Sequence, residues 1–158
     1  MMIEMYAISL HQPWASLVAI GSKPFETRDW FPPKWLIGHR IAIHAAMKAM
    51  PRAVEDENDF TEAFGGRGWR GSLPRGAIVC TAILAGAYQC GDSDIDPEHA
   101  DIVRALSGSR ALDSIPIDTF GDYTPDRVAW WLTDVEAVTP PLLRKGHQGF
   151  WKELLPSC

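Results

Sequence analysis

The sequence predicts an α+β domain whose core is a small, strongly bent or closed β-sheet. Short apolar runs of strand character recur along the chain: MYAISL, RIAIHA, Ala77 to Tyr88 and Val128 to Val138. Proline and glycine punctuate these runs, and only a few short helical periodicities interrupt them. With 158 residues, 46% hydrophobic and 22% charged, the chain reads as one globular domain, 1–158, able to bury a core of its own.

Each element has a local cause. Met5 to Leu10 is the first strand. His11-Gln12 leads into Pro13, a residue favoured in the first helical turn. Trp14, Leu17, Val18 and Ile20 then keep a helical period until Gly21 stops it. Pro24 to Arg28 reads as a strand, FPPKW as an extended loop and Arg40 to Ala45 as a strand with an apolar face. Pro51 opens an acidic surface helix reaching about Phe64, and GGRGWRGSLPRG is a glycine-rich loop. Pro97 to Leu106 is an amphipathic helix, and Ser107 to Thr124 is loop. After the last long strand Pro140-Pro141 makes a turn, and a short terminal helix follows Trp151.

Composition narrows the function classes. The net charge of −5 argues against a strong non-specific polyanion binder. Its distribution is uneven. Residues 1–52 carry six Lys/Arg against three acids, 139–158 three against one, and 92–126 two against nine. Basic termini that packed together would form a local basic surface, and the acidic 92–126 segment would suit a basic protein partner. The alternative is that all these charges are simply solvated. Cys80, Cys90 and Cys158 are widely spaced, which reads as inert thiols rather than a disulfide framework or a zinc site. The longest apolar run, about Ala77 to Ala87, is shorter than the ~20 residues that span a bilayer. No signal-peptide pattern opens the sequence, so a cytoplasmic protein with no membrane contact is expected. No phosphate-loop, nucleophile-elbow or H-E-x-x-H motif occurs, and nothing implies a metal or cofactor.

The chemistry concentrates in GSKPFETRDW, Gly21 to Trp30. On an extended strand Glu26, Arg28 and Trp30 point one way, while Phe25 and Thr27 point the other. Phe25 is then the core anchor, and Lys23 can swing toward the Glu26 side. A carboxylate between two cations suits a phosphate or a carbonyl oxygen. The alternative is a solvated Glu–Arg pair contributing about 0–1 kcal/mol, with a free lysine beside it. His44, on the strand RIAIHA, either lines a cleft or is a satisfied core histidine. Gln12 either contacts an anion or a base edge, or only helps cap the helix. Arg67, Trp69 and Arg70 make the glycine-rich loop cationic and aromatic, which fits single-stranded nucleic acid. Trp69 folded onto the core is the other reading.

These residues resemble a known family. ISLHQPWASLVAIGSKPFETRDW with GHRIAIHAA is similar to the start of an ASCH (activating signal cointegrator homology) domain. WWLTDVEAV and PPLLRKGHQGFW are similar to its closing strand and tail. The resemblance implies a PUA-like fold: a small mixed or antiparallel β-barrel flanked by a few helices. It also implies a cleft beside the first helix where Gly21, Lys23, Glu26 and Arg28 gather, and an association with RNA. Some members are amidohydrolases of acylated cytidine that use Lys and Thr, and nuclease activity is ascribed to others. Here Lys23 is followed three positions later by Glu26, and Thr27 falls on the opposite strand face.

The expected function is therefore binding of RNA, single-stranded nucleic acid or a nucleoside-type small molecule. Gln12, Trp14, Gly21, Lys23, Glu26, Arg28, Trp30 and His44 form the candidate set. Arg67, Trp69 and Arg70 are possible loop contacts. A cofactor-independent hydrolase with Lys23 and Glu26 as catalytic groups is the alternative, and a protein–protein adaptor is the second alternative.

Overall fold

The computed structural model describes residues 1–48, 50, 57–90, 120–124 and 126–157. In chain order the elements are β1 (Met2–Leu10), α1 (Trp14–Ala19), β2 (Phe25–Arg28) and β3 (Arg40–Ala45). They continue with α2 (Glu57–Ala63), α3 (Trp69–Ser72), β4 (Ala77–Gln89), β5 (Val128–Leu143) and β6 (Trp151–Pro156). The predicted helix at 97–106, the first part of the helix begun at Pro51, most of the acidic 92–126 segment and Cys158 lie outside the described residues. No helix among the described residues is long and apolar enough to cross a membrane.

The six strands form one mixed sheet in the order β2-β5-β4-β3-β1-β6. β1 and β3 are parallel, and every other neighbouring pair is antiparallel. The α+β class is as expected, but the sheet is open. β2 and β6 are its edges, and no hydrogen-bond ladder joins them among the described residues.

Bulges curl the sheet nonetheless. Ile43 pairs Cys80 while His44 pairs Ile78, so Val79 is extra on β4. Leu84 pairs Leu132 while Gly86 pairs Trp131, so Ala85 is extra as well. The largest irregularity lies between the pairs Ile78–Leu142 and Cys80–Ala137. There, Val138 to Pro141 on β5 oppose Val79 alone. This corrects the expected Pro140-Pro141 turn. The prolines sit in a bulge within one long strand, where a residue with no N–H costs no ladder bond.

The terminal helix is corrected too. Trp151–Pro156 pairs antiparallel with β1, from Ala7↔Trp151 to Met2↔Pro156. Its burial alternates, with Leu155 packed against Ala7, Ala42 and Ile78. Pairing with the exposed edge of β1 overrides a weak local preference.

Paired residues on adjacent strands share a sheet face. Ile8, Leu10, Ile41, Ile43, Leu84 and Trp130 belong to one core, against which α1 lays Ala15 and Val18. Leu17 of α1 turns instead to Phe60 of α2 and Trp69 of α3. Phe25 is the anchor the sequence indicates, buried with Ala129, Trp131 and Cys90 in a separate cluster. Cys80 and Cys90 are buried free thiols, and burial pushes the Cys80 thiol up to about 12.

A candidate nucleotide cleft

Gly21 ends α1 at φ +81°, a left-handed conformation open to glycine at little cost. The backbone N–H groups of Ser22 and Lys23 both turn back to the Leu17 carbonyl. This reversal aims the Lys23 side chain inward, where it is only 2% exposed. Its Nζ donates to the Phe25 carbonyl and stands 3.7 Å from Glu26 Oε2. Glu26 Oε1 accepts from Arg28 Nε at 2.9 Å. Arg28 Nη2 donates to the Ser9 carbonyl at 2.8 Å, and its guanidinium lies 5.9 Å from the centre of the Trp130 ring.

The solvated-pair alternative does not describe this geometry. The Lys23, Glu26 and Arg28 side chains are 2%, 13% and 27% exposed. They form a linked, largely desolvated cluster. Taking charges out of water is costly unless hydrogen bonds satisfy them, and here two backbone carbonyls and the carboxylate do so.

The cluster forms one wall of a cleft of about 350 Å³. Ser9, Leu10 and His11 form another wall at the end of β1, and Trp14 a third at the start of α1. Thr27, Phe120 to Asp122 and Arg127 complete the lining. Trp14 is fixed by its Nε1, which donates to the Phe120 carbonyl at 2.8 Å. Arg127 Nη2 donates to the Thr27 carbonyl at 3.0 Å. At the mouth, His11 is held below its ordinary pKa of 6.5, first by partial burial and then by Lys48 and Arg28. Glu26 opposes the shift, and burial, its first cause, disfavours the charged imidazolium.

No family model matches the chain, and no curated protein does. In structure the chain is similar to an ASCH protein from Zymomonas mobilis, with 17% identity over 93% of this chain and 85% of that one, at a TM-score of 0.49. It is likewise similar to a serine-to-alanine variant and a tyrosine-to-phenylalanine variant of that protein. Each is 19% identical over 93% of this chain, covering 86% and 88% of theirs, at a TM-score of 0.49. These structures carry the family name that the sequence resembles.

Of the residues singled out from sequence, Trp14, Lys23, Glu26 and Arg28 meet in the cleft. The others lie elsewhere. Gln12 is fully buried, and its amide is spent inside the protein. Nε2 donates to Ser16 Oγ and to the Pro74 carbonyl, both at 2.7 Å, and Oε1 accepts the Ser16 N–H at 3.1 Å. Its role is to cap α1 and tie that helix to the loop before β4, not to contact a ligand.

His44, 1% exposed, is likewise satisfied by the protein. Nε2 lies 2.9 Å from the Arg144 carbonyl, which can only accept. Nε2 therefore carries the proton, and Nδ1 accepts from the Ser9 hydroxyl at 2.8 Å. Gly21 shapes the turn but is not among the residues bordering the cleft.

Trp30 stands outside the cleft, edge-on to Trp130 at 4.8 Å. Trp69 is 5% exposed and stacked with Phe60 and Phe64, so its ring belongs to the core. Arg70 lies over that ring, at 5.0 Å, and Arg67 is exposed.

Ser9, His11, Asp122 and Arg127 were not legible as site residues. His11 adjoins the QPW run and could have been included. Arg127 reaches the cleft only because β5 pairs with β2, which no local pattern reveals.

Proposed function

We propose that the cleft binds a nucleotide or a short single-stranded RNA segment. The observation that supports this reading is the Lys23–Glu26–Arg28 cluster, held rigid by backbone carbonyls and open on one side to a cavity walled by Trp14. Arg28 has spent Nε and Nη2 but keeps donors on Nη1 for a base or ribose oxygen. Glu26 retains lone pairs for an exocyclic amine or a ribose hydroxyl. The Trp14 ring offers a surface on which a base can stack, worth about 1–3 kcal/mol. The cavity suits one or a few nucleotides, in keeping with the acidic balance of the whole chain.

Titrating short single-stranded RNA at several salt concentrations tests this reading. Affinity should fall as salt rises. The Lys23→Ala/Arg28→Ala double variant should lose binding, and binding that survives this change would overturn the placement.

One observation favours hydrolysis at the same place. A buried lysine 3.7 Å from a carboxylate is an arrangement suited to acid–base work. On an acylated cytidine, water would add to the acyl carbon while Glu26 takes its proton. Lys23 would stabilise the oxyanion, and Glu26 would return the proton to the departing amine, leaving a carboxylic acid. Turnover of acylated cytidine or short RNA should appear with the wild type and vanish in Glu26→Gln. Undiminished turnover by that variant would remove the assignment.

A further inference from the structure

Three large aromatic side chains stand exposed close together in the chain after β2. Trp30, Phe31 and Trp35 are 37%, 55% and 58% exposed. A single exposed apolar residue is ordinary, but rings grouped in this way mark an interaction surface. The segment that carries them is held in place. Pro33 is extended at φ −55° and ψ 131°, and one 3₁₀ turn follows at Lys34–Leu36. Leu36 is buried in the main core, and its N–H donates to the Pro33 carbonyl at 2.9 Å. The Gly38 N–H donates to the Leu84 carbonyl at 2.7 Å. The rings are thus presented on a fixed backbone, which lowers the entropic cost of binding.

The rings continue the Arg28 side of the cleft. The Arg28 guanidinium lies 5.9 Å from the centre of the Trp130 ring, and Trp30 meets that same ring edge-on at 4.8 Å. Trp35 meets Tyr6 of β1 edge-on at 4.9 Å. Tyr6 and Leu10 share one face of β1, and Leu10 borders the cleft. Tyr6 also packs against the core that holds Leu10 and Trp130. It stands roughly 13 Å along the strand from Leu10. Both exposed tryptophans therefore border the sheet face on which the cleft opens. Among the described residues neither has a ring stacked parallel to it. The buried tryptophans differ: Trp69 stacks on Phe60 and Phe64, and Trp130 on Phe150. The exposed charges beside the rings, Asp29 and Lys34, are opposite in sign, so the rings rather than a net charge supply the attraction.

We infer that Trp30, Phe31 and Trp35 form a stacking platform that carries a single-stranded RNA beyond the cleft. The inference rests on the cleft being a nucleotide site, and it makes the ligand an oligonucleotide rather than a mononucleotide. One nucleotide occupies the cleft, and the bases that follow lie on Trp30, Phe31 and then Trp35. Every base has a π-face, so this part of the surface adds affinity with little sequence preference.

The test titrates the full chain with adenosine and uridine monophosphates and with adenosine and uridine oligoribonucleotides two, four and six nucleotides long. Affinity should rise about tenfold or more from the dimer to the hexamer. Trp35→Ala should cut hexamer affinity about fivefold or more and leave monophosphate and dimer affinity in place, while Trp35→Phe keeps most of the hexamer affinity. The salt dependence of hexamer binding should be the same in the wild type and in Trp35→Ala, since the change removes a ring and no charge. Phe31→Ala repeats the comparison at a second exposed ring should Trp35→Ala not fold. A hexamer bound no more tightly than the dimer, or undiminished in both alanine variants, leaves the exposed rings to a protein partner. That result overturns the platform and spares the nucleotide-site reading. Equal losses for monophosphate and hexamer in these variants overturn the platform as well, because they report a disturbed cleft. Failure of every monophosphate and oligomer to bind overturns both.

Discussion

Arg28 on edge strand β2 donates to the Ser9 carbonyl on β1, although β5, β4 and β3 lie between the two in the sheet. The bond is possible only because bulges curl the sheet until its two ends approach. Aromatic packing closes the same gap, with Trp130 of β5 stacked on Phe150 at 5.5 Å. A hydrogen bond to a charged group contributes about 1.5–3 kcal/mol, and such a ring pair about 0.5–1.5 kcal/mol beyond its buried area. Neither dominates, so Arg28 has both a structural and a ligand-facing part. Arg28→Ala should lower stability by about 1.5–3 kcal/mol in urea unfolding and also abolish binding. Arg28→Lys should recover part of the stability but not the binding, because an ammonium cannot span Glu26 and Ser9 as a fork does. Full stability in Arg28→Ala would show that the rings alone hold the curl.

Gln12 makes the opposite prediction. Its amide satisfies the Pro74 carbonyl and two groups of Ser16. Gln12→Ala leaves buried polar groups unpaired, at about 1–3 kcal/mol each. Denaturant unfolding should show the loss, and the affinity of the folded protein for RNA should stay as it was. A change in affinity at unchanged stability would restore Gln12 to the ligand.

Trp69 is expected to behave as core. Trp69→Ala should cost about 3–5 kcal/mol, a large share of the roughly 5–15 kcal/mol typical of a domain. Trp69→Phe should keep most of the stacking on Phe60 and Phe64. Thermal melting beside RNA titration separates this from a ligand-stacking role, in which affinity would fall and melting would hardly move.

His44 links stability to pH. Burial is the first cause holding it below its ordinary pKa of 6.5, helped by His147 and opposed by the Arg144 carbonyl and Glu153. The unfolded chain therefore takes up this proton more readily than the folded one. The associated stability is present above about pH 6.5 and is lost as pH falls below that value. Denaturant midpoints measured from pH 7.5 down to 5 should drop more steeply for the wild type than for His44→Gln, whose amide can still donate to Arg144. Parallel curves would show that His44 contributes nothing to the slope.

Gly146 bears on the same contact. A Cβ there would stand 2.6 Å from His44 Cε1 and 3.0 Å from Ser9 Oγ. Neither side chain can retreat without breaking the Ser9–His44 bond. Gly146→Ala should therefore destabilise by about 1–3 kcal/mol, the usual range for overpacking, measured by thermal or urea unfolding. A neutral outcome would mean that the tail yields rather than the histidine.

Local rules made β1, α1, β2, β3 and β4 legible, because each has an alternating or helical apolar pattern bounded by Pro or Gly. The same alternation placed Glu26 and Arg28 on one side of β2 and Phe25 on the other, as the structure has them. Other features depend on partners far along the chain. Trp151–Pro156 is a strand because the edge of β1 is available to it, a neighbour about 150 residues away. Pro140-Pro141 sits in a bulge because Val79 on β4 leaves room for the extra residues. Gln12 and His44 carry ligand-type groups, and only the Pro74 and Arg144 carbonyls reveal that those groups are already satisfied. Arg127 enters the cleft through the pairing of β5 with β2. Sequence by itself determined which chemical groups stand on one strand face, since alternation is a property of the backbone. The tertiary structure alone decided which of those groups still have a free hydrogen bond, since that depends on what the rest of the fold brings within about 3 Å.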